Sequence, residues 1–514
     1  MIKISSNLNY SKHRPRRSLF SVIFVLMLLG LAQMACNLGA VEGMGTQPRL
    51  ETDTPIPTRK TPSLTPNLSP SPTPTESPTP LPISPTATTI PPRTLYKINA
   101  NLDYAGHRLG VSQEVYYVNS SNHQLRELVF VVEPNRHAGA FELFDLTWGD
   151  GRSIEDYVFE GGILRLALLE PLVPGGGVSV KLAYALHIPQ REGTFGYTKR
   201  QTNLGDWYPF VAPYNDERGW LAHEPNYYSH GTLGEHLVYE SADFEVSLNL
   251  GEEAESVILA ASASADVRDG VYYFQAQSAR NFTFSASPEY VVREVEWNGV
   301  TIQSVFFAED AVAGEAVLTI AQESLAIYGE VFTPYQHGSF TVVEALFPDG
   351  MEFDGLVYVG SEYYRSYNST PYNYLTLITA HETAHQWWYG LVGNDQALEP
   401  WLDEILATYT EQIYLEHAYP YAAGWWFNFR VAAYKPKGWV NSTIYDFDGF
   451  RPYVNAVYLR GATFLSELRA SMGDEAFFAF LAAYAKSNTH EIAEGDDFWA
   501  LLEGHEALVA QYFK

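Results

Sequence analysis

The chain has 514 residues and carries 32 Lys and Arg against 60 Asp and Glu, a formal net charge of −28. That surplus repels phosphate backbones and excludes general nucleic-acid binding. A single cysteine, Cys36, rules out an intrachain disulfide, a multi-cysteine zinc site and an iron–sulfur cluster. At 46% hydrophobic and 14% aromatic, the chain has ample material for a large core, and its length suits about three domains.

Residues 1–36 read as an export segment. Lys3, Lys12, Arg14, Arg16 and Arg17 precede an apolar run from Leu19 to Ala32, and small residues lead to Cys36. This is the layout of a secretory signal, and the run is short for a membrane span of about 20 residues. Cys36 suggests a bacterial lipoprotein, although Gln33 stands where the usual lipobox has Leu. An uncleaved anchor and plain cleavage are the other two readings, and Arg16-Arg17 hints weakly at a twin-arginine signal. In all of them the body is expected outside the cytoplasm, at the cell surface or anchored to the membrane. Residues 37–93 read as a stalk: 14 of the 30 prolines lie between Pro48 and Pro92, among Ser and Thr. Such a stretch offers no core and is expected to be extended.

From 94 to 297 the pattern has period two. Val178, Val180, Leu182, Tyr184, Leu186 and Ile188 alternate with polar or small residues, as do Phe244, Val246, Leu248 and Leu250. This predicts an antiparallel β-rich domain. Its histidines (His107, His123, His137, His187, His223, His230, His236) are scattered and read as structural or surface groups. His223 and Glu224, in an aromatic, proline-rich loop, retain a chance of lining a cleft.

From 298 to 514 the period becomes helical. Val317, Ala321, Leu325 and Tyr328 share a helical face, and a strand is predicted at Ser339–Phe347. Helices are predicted over 374–389, 401–416 and 456–471, and Asp474 and Asp496 read as N-caps of two more. The fold class is therefore α+β multidomain, with an antiparallel β-rich domain followed by a mixed, mostly helical one.

The chemistry concentrates at His381-Glu382-Thr383-Ala384-His385. On a helix His381 and His385 project from one face and can share a metal ion. Zn²⁺ accepts two neutral imidazoles and a carboxylate and leaves a position for water, which Glu382 can reach without binding the metal. Glu404, in Trp401-Leu-Asp-Glu404, follows His385 after 18 residues, enough for a helix end, a loop and the start of a facing helix. It is the candidate third ligand. Glu411, seven residues on, either orients a ligand imidazole or belongs to a solvated face.

H-E-x-x-H, 18 residues, then Glu within W-L-D-E resembles the membrane alanyl aminopeptidase family of gluzincin zinc peptidases. That family's G-x-M-E-N strand is matched by Asp349-Gly350-Met351-Glu352-Phe353, with Asp349 in place of Gly and Phe353 in place of Asn. Its catalytic tyrosine motif is matched by Tyr458-Leu-Arg-Gly-Ala462, and Tyr453 lies where some relatives also have Tyr. Leu204–Phe210 and Ala279–Phe284 are similar to stretches of the family's first domain. Two departures stand out. No stretch matches the Gln/Glu-containing segment of the first domain that joins in amine binding. Only 52 residues follow Ala462, so the large C-terminal helical domain of many relatives is not expected, and the cleft is expected to be more open.

The resemblance implies a thermolysin-like second domain with one Zn²⁺ per chain on His381, His385 and Glu404. It implies Glu382 as general base, Tyr458 as oxyanion donor, and Glu352 with Gly350 and Met351 as the substrate-binding strand. Peptides are the expected substrates, N-terminal residues the expected products, and the membrane a partner through the N-terminal anchor. Two rival functions remain: a zinc endopeptidase or other zinc hydrolase without amino-terminal specificity, and a non-catalytic surface binding module.

Overall fold

The computed structural model describes residues 93–514 apart from His230. The expected export segment, Cys36 and all but the last residue of the stalk lie outside the described residues. Among the latter, no helix is long and apolar enough to cross a membrane.

Alternating burial builds the first domain. A seven-stranded sheet runs, in spatial order, Ala265–Arg268, Val271–Ala279, Ala242–Asn249, Leu95–Asp103, Arg108–Val118, Gly177–His187 and Phe141–Trp148. Only the pair Leu95–Asp103 with Ala242–Asn249 is parallel. In Gly177–His187 the residues Val180, Leu182, Tyr184 and Leu186 are buried, as the period-two pattern requires. A four-stranded sheet (Phe210–Val211, Leu125–Val131, Ile163–Leu172, Tyr157–Glu160) contributes to the same core through Leu128, Phe130, Leu164 and Leu166.

The second domain begins earlier than expected. Tyr290–Trp297, assigned by sequence to the β-rich domain, pairs antiparallel with Val300–Phe307 and forms one edge of a five-stranded sheet. Val300–Phe307, Ser339–Ala345 and Leu356–Gly360 follow in parallel, and Gly350–Phe353 returns antiparallel as the other edge. The hairpin Tyr290–Phe307 has the same alternation as the strands before it, so period alone does not reveal the change of sheet.

Helices cover this sheet. Ala311–Val331 buries Val317, Ala321, Leu325 and Tyr328 as predicted, and the Tyr328 hydroxyl donates to the carbonyl of Ala380 at 3.0 Å. The motif helix is Tyr374–Ala384, shorter than the predicted 374–389. Asn373 caps its start, its side chain accepting from the Thr376 amide at 3.0 Å. The predicted 401–416 helix spans Trp401–Ala418, opened by Pro400. The predicted 456–471 helix is the end of a longer one: Phe450–Val454, a π turn over Asn455–Leu459, then Arg460–Met472. Pro452 sits in its first turn, where a missing amide leaves no helical bond unmade. The last predicted caps move by one and two residues. Gly473 and Glu494 cap the two helices, and Asp474 and Asp496 lie within their first turns.

Arg280 joins the two domains. Fully buried, its guanidinium donates to the carbonyls of Tyr239, Tyr389, Gly390, Leu391 and Glu491 at 2.7–3.2 Å. An arginine so placed needs carbonyls for its donors, and the fold supplies five from three separated segments.

Candidate active site

His381 is on the last turn of the motif helix, and His385 caps that helix in a right-handed helical conformation. The four-residue spacing therefore keeps both rings on one face although the helix ends at Ala384. The Nδ1 of His385 donates to the carbonyl of Trp388 at 2.8 Å, and the Nδ1 of His381 donates to Oε1 of Glu411 at 3.1 Å. Both partners only accept, so each imidazole carries a proton on Nδ1 and points its Nε2 toward the other. These two Nε2 atoms are 3.2 Å apart, and Oε2 of Glu404 lies 3.4 and 3.7 Å from them.

Against burial, hydrogen bonds to Glu404 and Glu411 hold His381 well above its ordinary value, so the cluster draws a positive charge, which a metal ion would supply in the proton's place. Tetrahedral zinc with ligands at about 2.0–2.1 Å has ligand–ligand edges of roughly 3.3 Å, close to the three separations observed. Oε2 of Glu404 and Oε2 of Glu382 are buried without a hydrogen-bond partner, open valences of the kind a metal ion and water would fill. The residues present fit zinc.

Electrostatics agree. Burial pushes the His385 imidazole down to about 4, so it is neutral, as a ligand must be. Against burial, the hydrogen bond from His381 and the neighbouring imidazoles hold Glu404 below the usual carboxylate range. Glu404 is in the first turn of its helix, where the dipole also favours the anion.

Glu382 lies beside the ligand edge, and burial followed by the charges of Glu352, Asp349 and Glu404 pushes its carboxyl well above the ordinary value, though His381 opposes this. Gly350, on the edge strand, passes so close that a Cβ there would meet the Glu382 carboxyl. Met351 packs half-buried against the sheet core. Glu352 is buried, and burial followed by the Glu404 charge pushes it up to about 7. Phe353 points away from this cluster, packing on Tyr358 and against Gly205 of the first domain. The Tyr458 hydroxyl donates to Oε1 of Glu404 at 2.5 Å. Tyr453, five residues earlier, stacks edge-on to it at 5.5 Å, because the π turn brings residues five apart onto one face.

Two participants escape the motif reading. Glu235, in the loop after the short strand Gly231–Thr232, brings a carboxylate oxygen within 4.8 Å of one on Glu352 and one on Glu404. It is a first-domain carboxylate at the site, in a stretch with no motif match. Burial followed by Glu352 and Glu404 raises its carboxyl well above the usual value. Gln396 donates to Oε1 of Glu352 at 2.8 Å and to Oδ2 of Asp403 at 2.9 Å, fixing both acids. No local signal marks either residue; only the packing of distant segments does. Glu411 is fully buried, not on a solvated face, and Arg430 and Trp426 bind it together with His381. His223 bonds Asp395 at 3.0 Å, next to Gln396, so it braces the site from behind.

Residues 317–513 match the family model described as the peptidase family M1 domain. Aminopeptidase M1-D from Oryza sativa subsp. japonica is 29% identical over 208 residues, covering 37% of this chain and 24% of that protein. Aminopeptidase N from Streptomyces lividans is 23% identical over 293 residues, covering 52% of this chain and 34% of that protein. The chain thus spans about a quarter to a third of the length of these relatives. A solved M1 zinc metallopeptidase mutant from Deinococcus radiodurans, bound to a Tyr-Ser-Ala substrate, is 19% identical, with a TM-score of 0.58 over 82% of this chain and 94% of that one. That likeness carries the two-domain α+β fold. The family match lies over the His381, His385 and Glu404 cluster, so residues 317–513 are similar to the peptidase family M1 domain, and the two-domain fold is shared with the solved M1 zinc metallopeptidase.

Proposed function

We propose that this chain is a zinc-dependent aminopeptidase with one Zn²⁺, releasing N-terminal residues from peptides. The observation that carries the reading is the convergence of Glu352 and Glu235 beside the His381, His385 and Glu404 cluster. Buried carboxylates crowded without a counter-charge are unfavourable, and a substrate ammonium supplies that charge.

His381, His385 and Glu404 would hold the zinc, which as a Lewis acid acidifies water and polarises a carbonyl. Glu382 takes the proton of the attacking water on its free oxygen and delivers it to the leaving amine nitrogen. Tyr458 donates its hydroxyl proton to the oxyanion developing on the scissile carbonyl, a contact typically worth about 2.7–4 kcal/mol. Glu352 and Glu235 grip the ammonium, with Gln396 holding Glu352 in place. The grip sets the register so that the first peptide bond lies at Glu382.

The test is to incubate the zinc-loaded protein with one peptide mixture in free and N-acetylated forms and read the products by mass spectrometry. Stepwise loss of single residues from the free forms only is expected. Internal cuts in both forms would transfer the assignment to an endopeptidase, and no cleavage with zinc bound would favour a binding module.

The signal-like residues 1–36 and the proline-rich 37–93 support a location outside the cytoplasm, with Cys36 lipidated and the membrane as partner. Cys36→Ser expressed in a bacterial host should leave the membrane fraction; its retention there would overturn lipid anchoring.

A further inference from the structure

The edge strand gives the site a direction. Glu352 marks the substrate's amine and Gly350, against Glu382, marks the bond to be cut. A peptide lying along the strand therefore sends its leaving part past Asp349. There Oδ1 of Asp349 accepts from the Tyr363 hydroxyl at 3.1 Å, so the carboxylate that stands in place of the family's glycine ties an aromatic side chain to the strand.

From Tyr363 a continuous run of rings leads outward. Tyr363 lies 6.0 Å from Tyr374, Tyr374 5.2 Å from Phe429, and Phe429 stacks on Trp425 at 4.4 Å with an interplanar angle of 19°. Trp425 meets Tyr372 edge-on at 5.2 Å, and Tyr372 lies 6.2 Å from Tyr421. The run starts half-buried and opens to solvent, with Tyr372 39% and Tyr421 69% exposed. Its residues come from three segments: the short helix Ser361–Arg365, the approach to the motif helix, and the turn and helices at 421–431. A scattered exposed aromatic needs no explanation, but a connected series starting at the catalytic strand does.

We propose that this aromatic ledge binds the leaving side of the peptide substrate, so that the enzyme selects peptides extending several residues beyond the cleaved bond, with aromatic or proline side chains there. The inference rests on the aminopeptidase reading above. Aromatic faces accept many side chains, and tyrosine hydroxyls can bond a peptide backbone, giving contact area without demanding one sequence. An extended peptide rises about 3.3 Å per residue, so the ledge accommodates on the order of three to five residues.

The test compares a leucyl arylamide, which has no peptide beyond the bond, with Leu-Ala, Leu-Ala-Ala-Ala-Ala and Leu-Ala-Phe-Pro-Phe. For the wild type, kcat/KM should rise from dipeptide to pentapeptide and again, about fivefold, with the aromatic one. In Trp425→Ala and Tyr421→Ala, the ratio of kcat/KM for the aromatic pentapeptide to that for the arylamide should fall about fivefold. Tyr421 is exposed enough that its variant keeps the test sound if Trp425→Ala fails to fold. A ratio equal to that of the wild type in Tyr421→Ala and in any folded Trp425 variant, or equal rates for dipeptide and pentapeptides, overturns the ledge while leaving the aminopeptidase intact. A wild type that cuts no arylamide and no free peptide removes the aminopeptidase and the ledge together.

Discussion

Replacing Glu411 by glutamine separates two duties of one buried carboxylate. Its Oε1 accepts from Nδ1 of His381 at 3.1 Å and from Nη2 of Arg430 at 3.0 Å, and its Oε2 accepts from Nε of Arg430 at 3.0 Å and Nε1 of Trp426 at 2.8 Å. Glutamine keeps the shape and one acceptor but places an amide NH₂ against groups that only donate. Arg430 then loses its charge partner in a buried setting, an event that typically costs about 3–5 kcal/mol. His381 loses the acceptor that fixes its tautomer and orients its ring, which typically lowers metal affinity about 10–100-fold. Chelator competition reads the second effect and denaturant unfolding of the zinc-free protein the first. The double variant Glu411→Gln with Arg430→Met should regain much of the stability, since the stranded charge is gone, yet keep the weak zinc binding. If Glu411→Gln binds zinc within twofold of wild type while losing stability, Glu411 serves Arg430 alone and its assigned role in the metal site is wrong.

The remaining predictions address the chemistry and the surrounding charges. Glu382→Gln should retain stoichiometric zinc by metal analysis and lose hydrolysis; a variant that still turns over would remove Glu382 as the proton carrier. Tyr458→Phe should lower kcat about 10²–10³-fold with zinc retained, and a kcat near wild type would exclude the hydroxyl from oxyanion binding. Glu235→Gln should lower kcat/KM for free-amine peptides about 30-fold or more, the lower end expected when a buried charge pair loses one partner; less than a threefold effect would leave Glu352 as the sole amine anchor. Glu399 tests the charge burden away from the metal. Burial, then the charges of Glu494 and Asp395, push its carboxyl from 4.5 to about 7 despite the Gly495 amide and Arg218. The folded chain therefore holds this proton more tightly than the unfolded chain, and stability is lost as pH rises from about 4.5 through 7, by at most on the order of 3 kcal/mol. Glu399→Gln should thus be more stable than wild type at pH 8 and similar at pH 5, and an equal difference at both would refute the burial argument.

What the sequence disclosed and what it concealed divide along a physical line. His381, Glu382, His385 and Glu404 were legible because one helix fixes the spacing of the first three and a facing helix, opened by Pro400, presents the fourth. Glu411 was half-legible for the same reason, two helical turns beyond Glu404, but only packing decides between a buried acceptor and a solvated face. The strand Tyr290–Trp297 was assigned to the wrong domain because alternation specifies a strand, not the sheet it joins. Glu235 and Gln396 left no local trace. Glu235 sits in an irregular loop of the first domain, and Tyr239, four residues on, gives its carbonyl to Arg280, which also holds Tyr389 and Gly390 just beyond His385. Gln396 follows Asp395, which His223 of the first domain bonds from 172 residues away. The proposed metal site and general base are thus the product of contiguous helical geometry, whereas the group proposed to grip the substrate's amine is assembled where two domains meet. Changes at that seam can alter which peptides are accepted without disturbing the bond-breaking atoms. For the same reason, a motif reading that identifies the reaction leaves the register of the substrate to be found in the packing.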